Sequence, residues 1–363
     1  MRTISSKLLL LLAAFLFVLT ACGGNDTSTD SEPATVVVTT NILGDVVRQV
    51  AGDQVNVETI MPAGADPHVF QASAKQVDLM MKADLLISNG ESFEERLLDV
   101  LASAKEDGVP VFEAMSHVRT LEFGEDDHAG HDDHDDHDDH DDHDDHDDHD
   151  DHDDHDDHAD HDDHAGHDDH AGHDHSGVDP HFFTDPLQMV EVVEALVDFM
   201  IANVSGIDAD QLRASGDSYV QQLQDLHDEI QEMFEAVPVD KRVLVTNHEV
   251  FNYFAEQYDF EIVGTVIPSL STTDSASAKQ LTELMEVIES HHVPAIFADV
   301  ASSDRLAAMI AEELGDIGVV NLYSESLGEA GSGASTYLDM LRTNYERIAT
   351  ALAADGHDHD HDH

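Results

Sequence analysis

The sequence predicts an α/β protein of two lobes, each a mostly parallel sheet flanked by helices, the two joined by one long rigid helix. Three observations carry this expectation. Short β-branched runs such as Val36-Val37-Val38 and Val243-Leu244-Val245 have the character of buried strands in parallel sheets. They alternate with amphipathic stretches, once in each half of the chain, as in α/β folds. Between the halves lies a proline-free stretch over 209–236, in which Leu212, Tyr219, Leu223, Leu226, Ile230, Met233 and Phe234 recur at helical spacing. At 1.5 Å per residue it spans roughly 40 Å, enough to run along both lobes.

In the first half, a strand over 36–40 leads into a helix over 42–50 that Gly52 stops. A strand over 55–61 feeds Pro62-Ala63-Gly64-Ala65, followed by a helix over 73–82 and a strand over 85–88 ending at Asn89-Gly90. A helix over 93–104 and a strand over 109–112 complete that set. Asp185-Pro186 then starts a helix that ends near Asn203, Ser205-Gly206 separates it from the long helix, and Val237-Pro238 closes the latter. The second half continues with strand 243–245, helix 250–257, strand 261–267, helix 276–289 and strand 295–298. Ser303 is expected to cap a helix over 304–314, before strand 319–323, a glycine-rich loop through Gly333 and a last helix over 337–352.

Outside these elements the chain is dominated by charge and by a targeting segment. Arg2 and Lys7 precede an apolar run over 8–18, and Leu19-Thr20-Ala21-Cys22 resembles a bacterial lipobox, so Cys22 is expected to be the lipidated first residue of an exported protein. The apolar run is too short for a spanning helix. As the only cysteine, Cys22 leaves no intramolecular disulfide. With 15 basic and 79 acidic residues the formal charge is -64, which argues against nucleic acid or an anionic membrane surface as partner. The expected division is a signal peptide over 1–21, a tether over 22–34, a first lobe over 35–207, the joining helix over 208–238, a second lobe over 239–354 and a His/Asp tail over 355–363.

Histidine carries the chemistry. A tract over 126–175 repeats His-Asp-Asp and cannot bury apolar surface, so it is expected to be a disordered insertion in the first lobe. Its histidines, His128, His131, His134, His137, His140, His143, His146, His149, His152, His155, His158, His161, His164, His167, His170, His173 and His175, offer many weak, exchangeable metal sites. Asp66-Pro67-His68-Val69-Phe70 and Asp179-Pro180-His181-Phe182-Phe183 flank the tract and are a different kind of object. Proline stiffens each turn, so each histidine is presented rather than flexible, and the phenylalanine two residues on can anchor the turn in a core. His248 and Glu325 each follow an expected strand, as does His68, where α/β sheets place their ligands. Three imidazoles and one carboxylate, His68, His181, His248 and Glu325, form a nitrogen-rich set that suits Zn²⁺ in tetrahedral geometry over the more oxygen-seeking Mn²⁺. Asp66 and Asp179 either accept from imidazole N–H groups or close Asx turns. His117, His227, His291 and His292 read as surface residues.

At these segments the chain resembles the zinc/manganese solute-binding proteins of bacterial ABC importers. The matching stretches are 64–68, 178–186, Thr246-Asn247-His248-Glu249 through Phe254, and Leu322-Tyr323-Ser324-Glu325-Ser326-Leu327 with 336–341 behind it. The resemblance, which runs in order from Val36 to Leu352, implies two lobes joined by a rigid helix and His68, His181 and His248 as ligands. It implies that histidine at the third position marks the zinc branch, of which a His-rich insertion is also typical. Where that family commonly has Asp as fourth ligand this chain has Glu325, and Asp299 competes for the role. The implied protein is a monomeric, lipid-anchored, extracytoplasmic zinc receptor, not an enzyme, that delivers its ion to an ABC permease subunit. Two other classes of protein would use the histidines differently. An adhesin or metal-buffering lipoprotein would use the tract alone. A zinc hydrolase would use Glu249 as base, but the chain has no His-Glu-x-x-His helix and a fourth protein ligand would close the position a catalytic water needs.

Overall fold

The computed structural model describes residues 33–123, 177–315 and 317–353. The targeting segment with Cys22, the His/Asp tract and the C-terminal tail lie outside the described residues. The first lobe is a four-stranded parallel sheet in the order β2-β1-β3-β4, from β1 (Thr35–Val38), β2 (Asn56–Thr59), β3 (Leu85–Ser88) and β4 (Val111–Glu113). Val36 pairs with Val57 on one side and Leu85 on the other. Helices α1 (Asn41–Ala51), α2 (Ala74–Met81) and α3 (Leu98–Glu106) supply the crossovers. The second lobe repeats the plan in the order β10-β9-β7-β8, from β7 (Val243–Thr246), β8 (Glu261–Thr265), β9 (Ala295–Asp299) and β10 (Gly318–Leu322). Its helices are α6 (Asn252–Tyr258), α7 (Ala278–His291), α8 (Arg305–Leu314) and α9 (Tyr337–Ala353). Because every strand of each sheet runs parallel, the carboxyl ends share one edge, and the loops leaving those edges meet between the lobes.

Two helices hold the lobes together: α4 (Pro186–Asn203) and the long α5 (Ala209–Glu235). The α5 stripe Leu212, Tyr219, Leu223, Leu226, Ile230 and Phe234 is buried and belongs to one apolar cluster that takes in Val36 and Val46 from the first lobe and Phe254 and Tyr345 from the second. At Gly216 the helices touch closely, since a Cβ there would sit 2.7 Å from Val197 Cγ2. A core continuous across both lobes makes α5 a stiff brace rather than a flexible hinge. Among the described residues no helix is long and apolar enough to cross a membrane.

Several boundaries differ from the sequence reading, each for a local reason. The segment expected as one helix from 93 opens instead with a turn: Glu91 and Ser92 have φ of 48° and 60°, and a short 3₁₀ turn over Glu95–Leu97 precedes α3. The buried Glu94 carboxylate makes that turn, accepting the N–H of Asn89 at 2.7 Å and of Gly90 at 3.3 Å and the hydroxyl of Thr39 at 2.6 Å. The strand expected over 36–40 stops at Val38, because the Thr40 side chain caps α1 by accepting the Leu43 N–H at 3.3 Å. Ser303 does not cap α8; its hydroxyl meets only Arg305 N–H, at 3.4 Å, and Asp304 occupies the cap position without a side-chain bond. A two-stranded antiparallel ribbon, β5 (Glu122–Phe123) with β6 (Gly177–Val178), is absent from the sequence reading and lies next to Asp179.

Candidate metal centre

The two Asp-Pro-His turns fold alike. Asp66 Oδ1 accepts the His68 N–H and Asp179 Oδ1 accepts the His181 N–H, both at 2.9 Å, so each histidine is fixed by an Asx turn. His248 lies two residues beyond β7, where the Thr246 hydroxyl donates to its carbonyl at 2.8 Å. Glu325 lies three residues beyond β10, on a loop that Asn41 ties to the first lobe. The Asn41 amide donates to Ser326 Oγ at 2.8 Å and its oxygen accepts the Leu327 N–H at 2.7 Å.

These four side chains converge. One ligand atom from each of His68, His181, His248 and Glu325 lies within 4.8 Å of all the others, and all four residues are buried. Glu325 Oε1 is 2.8 Å from His68 Nε2, 3.2 Å from His248 Nε2 and 3.4 Å from His181 Nε2. In a tetrahedral zinc site with bonds near 2.0–2.1 Å, neighbouring donors stand about 3.4 Å apart, and the three contacts of Glu325 Oε1 lie within roughly 0.6 Å of that spacing. Phe93 closes one wall, edge-on to the His68 and His181 rings at 5.3 and 5.5 Å between centroids. Among the described residues His181 Nε2 and Glu325 Oε2 are buried without a hydrogen-bond partner. Buried polar atoms are rarely left so, and both belong to groups able to face a cation.

The aspartates behave differently despite their identical turns. Asp179 Oδ1 also accepts from His181 Nδ1, at 2.7 Å, which leaves Nε2 as the free nitrogen. Asp66 does not reach the His68 ring. That ring's Nδ1 donates to Glu95 Oε1 at 3.1 Å, and Asp66 Oδ2 instead accepts from the Thr272 hydroxyl at 2.7 Å. Glu95 was missed in the sequence because its segment reads as plain helix. Asp299, the rival fourth ligand, is buried and outside the converging set: Oδ1 accepts the Ala301 N–H at 2.5 Å, Oδ2 accepts the Ser324 hydroxyl at 2.6 Å, and its carboxyl also neighbours that of Glu325. Glu249 accepts from the Thr265 hydroxyl and is not among the converging atoms. His117, His291 and His292 are exposed, as expected. His227 is not a free surface residue: half-buried, it contacts the Tyr258 hydroxyl at 3.2 Å through Nδ1.

Burial alone would lower the His68 pKa, yet Glu325, Glu95 and Asp66 outweigh it and raise it to about 10. His181 is raised for the same reasons, against burial, by Asp179 and Glu325. His248 is lowered, burial being the larger effect. Burial works against the Glu325 charge, but the surrounding histidines hold its pKa well below the carboxylate range. The His68 nitrogen that faces an incoming ion therefore carries a proton below about pH 10. Ion entry must expel that proton, so affinity should keep rising with pH through neutrality. Calorimetry in buffers of different ionisation enthalpy should register release of at least one proton per ion at pH 7; no release would contradict this account.

Two sheets, a bracing helix and a buried three-imidazole, one-carboxylate pocket between the lobes define a two-lobed metal-binding protein. The sequence matches the family model described as zinc-uptake complex component A, periplasmic, over residues 36–351, and the chain belongs to that family. Among curated relatives, the zinc-binding protein TroA of Treponema pallidum is 25% identical, over 92% of this chain and 93% of its own. The manganese-binding lipoprotein MntA of Bacillus subtilis is 26% identical, over 94% and 98%. The solved periplasmic zinc-binding protein TroA of Treponema pallidum superposes with a TM-score of 0.70 at 23% identity, covering 88% of this chain and 99% of that one, and shares the fold.

Proposed function

We propose that this chain is an extracytoplasmic receptor that captures Zn²⁺ at His68, His181, His248 and Glu325 and delivers it to an ABC-type permease. The observation that carries the reading is the convergence of three imidazole nitrogens and one carboxylate oxygen in one buried pocket. Four donors of this kind satisfy zinc without water, whereas Mn²⁺ favours a larger, oxygen-rich shell. Relatives named for zinc and for manganese are about equally similar to this chain, so the donor set supports the choice and the names do not. Lipidation at Cys22 would hold the receptor at the membrane surface, with the tether over 22–34 giving it reach. The tract would act as an accessory, raising zinc concentration near the site through many weak equivalents.

The test is competition between the two metals before and after His248→Glu. Exchanging a borderline nitrogen for a hard oxygen should move preference from zinc toward manganese. A wild-type chain that prefers manganese would overturn the zinc reading, and an unchanged ratio in the variant would mean that His248 does not discriminate.

A further inference from the structure

Across the cleft, two hydroxyls of the second lobe reach acceptors of the first. Ser271 and Thr272 lie in the loop between β8 and α7; Ser271 Oγ donates to Glu95 Oε1 at 2.5 Å and Thr272 Oγ1 donates to Asp66 Oδ2 at 2.7 Å. Both acceptors also hold His68. The same Glu95 Oε1 accepts from His68 Nδ1 at 3.1 Å, and Asp66 Oδ1 accepts the His68 N–H at 2.9 Å. One imidazole is thus held at its ring and at its backbone by carboxylates that are each gripped from the opposite lobe.

We propose that Glu95 is a positioning residue for ion binding, and that its bond to Ser271 couples the orientation of His68 to the joined state of the lobes. The proposal rests on His68 being a ligand, as read above. A ligating imidazole must keep its hydrogen on Nδ1 to offer Nε2, and a carboxylate on Nδ1 fixes both tautomer and ring orientation. For His181 that carboxylate is Asp179, two residues away in its own turn and 1% exposed. For His68 it is Glu95, 30% exposed and borrowed from a different loop at the lobe interface. His181 therefore keeps its orientation through local bonds, while that of His68 depends on a contact between lobes.

The surroundings point the same way. The Glu325 loop is fixed to the first lobe by the buried Asn41 bonds. Thr272, next to the buried Ser271, instead borders a solvent-facing cavity of about 420 Å³, with Asp66, Asn247, Ser302 and Arg305 also in its walls. That space lets the 269–274 loop withdraw. Its withdrawal frees the His68 ring and opens the ion to this side, with the other three donors still in place.

Zinc release from the full-length chain into excess chelator tests this, with Ser271→Ala, Ser271→Thr, Glu95→Ala and the Glu95→Ala/Ser271→Ala double variant. Ser271→Ala should speed the slow release phase by roughly tenfold, the scale of one hydrogen bond to a charged group. The bond does not involve the ion, so the association rate should rise along with the release rate, while the melting temperature of the metal-free protein should fall by no more than a few degrees. Ser271→Thr, which keeps the hydroxyl, should restore slow release, and Ser271→Ala should add nothing in the Glu95→Ala background. Release within about twofold of wild type in Ser271→Ala, well under that scale, overturns the coupling, as do additive effects of the two alanines. If Glu95→Ala does not fold, the Ser271 pair still decides. A wild-type chain with no slow zinc phase overturns the reading of the site as a whole, which is distinguishable from failure of the coupling alone.

Discussion

Replacing His181 by alanine should weaken zinc binding by more than about 100-fold, because loss of a partner that merely orients a ligand already costs roughly 10–100-fold. His181 is fully buried, and its immediate neighbours Pro180, Phe182 and Phe183 carry no side-chain donor to replace it. The substitution also leaves the buried Asp179 carboxylate without its imidazole. Asn252 still donates to Asp179 Oδ2 at 3.0 Å and Tyr253 to its carbonyl at 3.0 Å, so the turn keeps its ties to the second lobe. Some loss of stability is expected, and binding should be measured well below the melting transition of the variant. Competition against a chelator separates the tight site from weak equivalents on the tract. Affinity within about threefold of wild type, under 1 kcal/mol, would remove His181 from the ligand set.

Glu325→Gln should be comparably damaging, because it deletes the only anionic donor among the four. Glu325 Oε1 is the atom on which all three imidazole Nε2 atoms converge, and a neutral amide there presents an N–H or a weaker oxygen to a dication. Asp299→Asn should do little. Burial and the neighbouring Glu325 push the Asp299 pKa well up, favouring the neutral form that asparagine resembles. Both of its oxygens are already engaged, by Ala301 N–H and the Ser324 hydroxyl. Parallel titrations of the two variants decide between the carboxylates; a large loss with Asp299→Asn and a small one with Glu325→Gln would reverse the assignment.

What was legible in the sequence was local. Asp-Pro-His carries its own turn geometry, and strand-end positions follow from parallel sheets, so His68, His181, His248 and Glu325 stood out before any contact was known. The two turns could not be told apart, however. Asp179 reaches its imidazole and Asp66 does not, because Glu95, 27 positions from His68, takes the His68 ring and Thr272, 206 positions from Asp66, takes the Asp66 carboxylate. Their phenylalanines differ likewise: Phe183 is fully buried, while Phe70 is only partly so at the edge of a smaller apolar cluster. Glu95 escaped notice because positive φ at Glu91 and Ser92, held by the Glu94 carboxylate, breaks a segment whose composition reads as helix. The β5–β6 ribbon is two residues a side, too short to leave any periodic pattern.

The central claim is that the ordered pocket, and not the His/Asp tract, is the receptor site. Chelator-competition titration of a chain lacking residues 126–175 tests it most directly. One tight zinc equivalent should survive, with affinity within about tenfold of the full chain, or 1.4 kcal/mol, and only weak equivalents should disappear. Loss of all tight binding on deleting the tract would contradict the account.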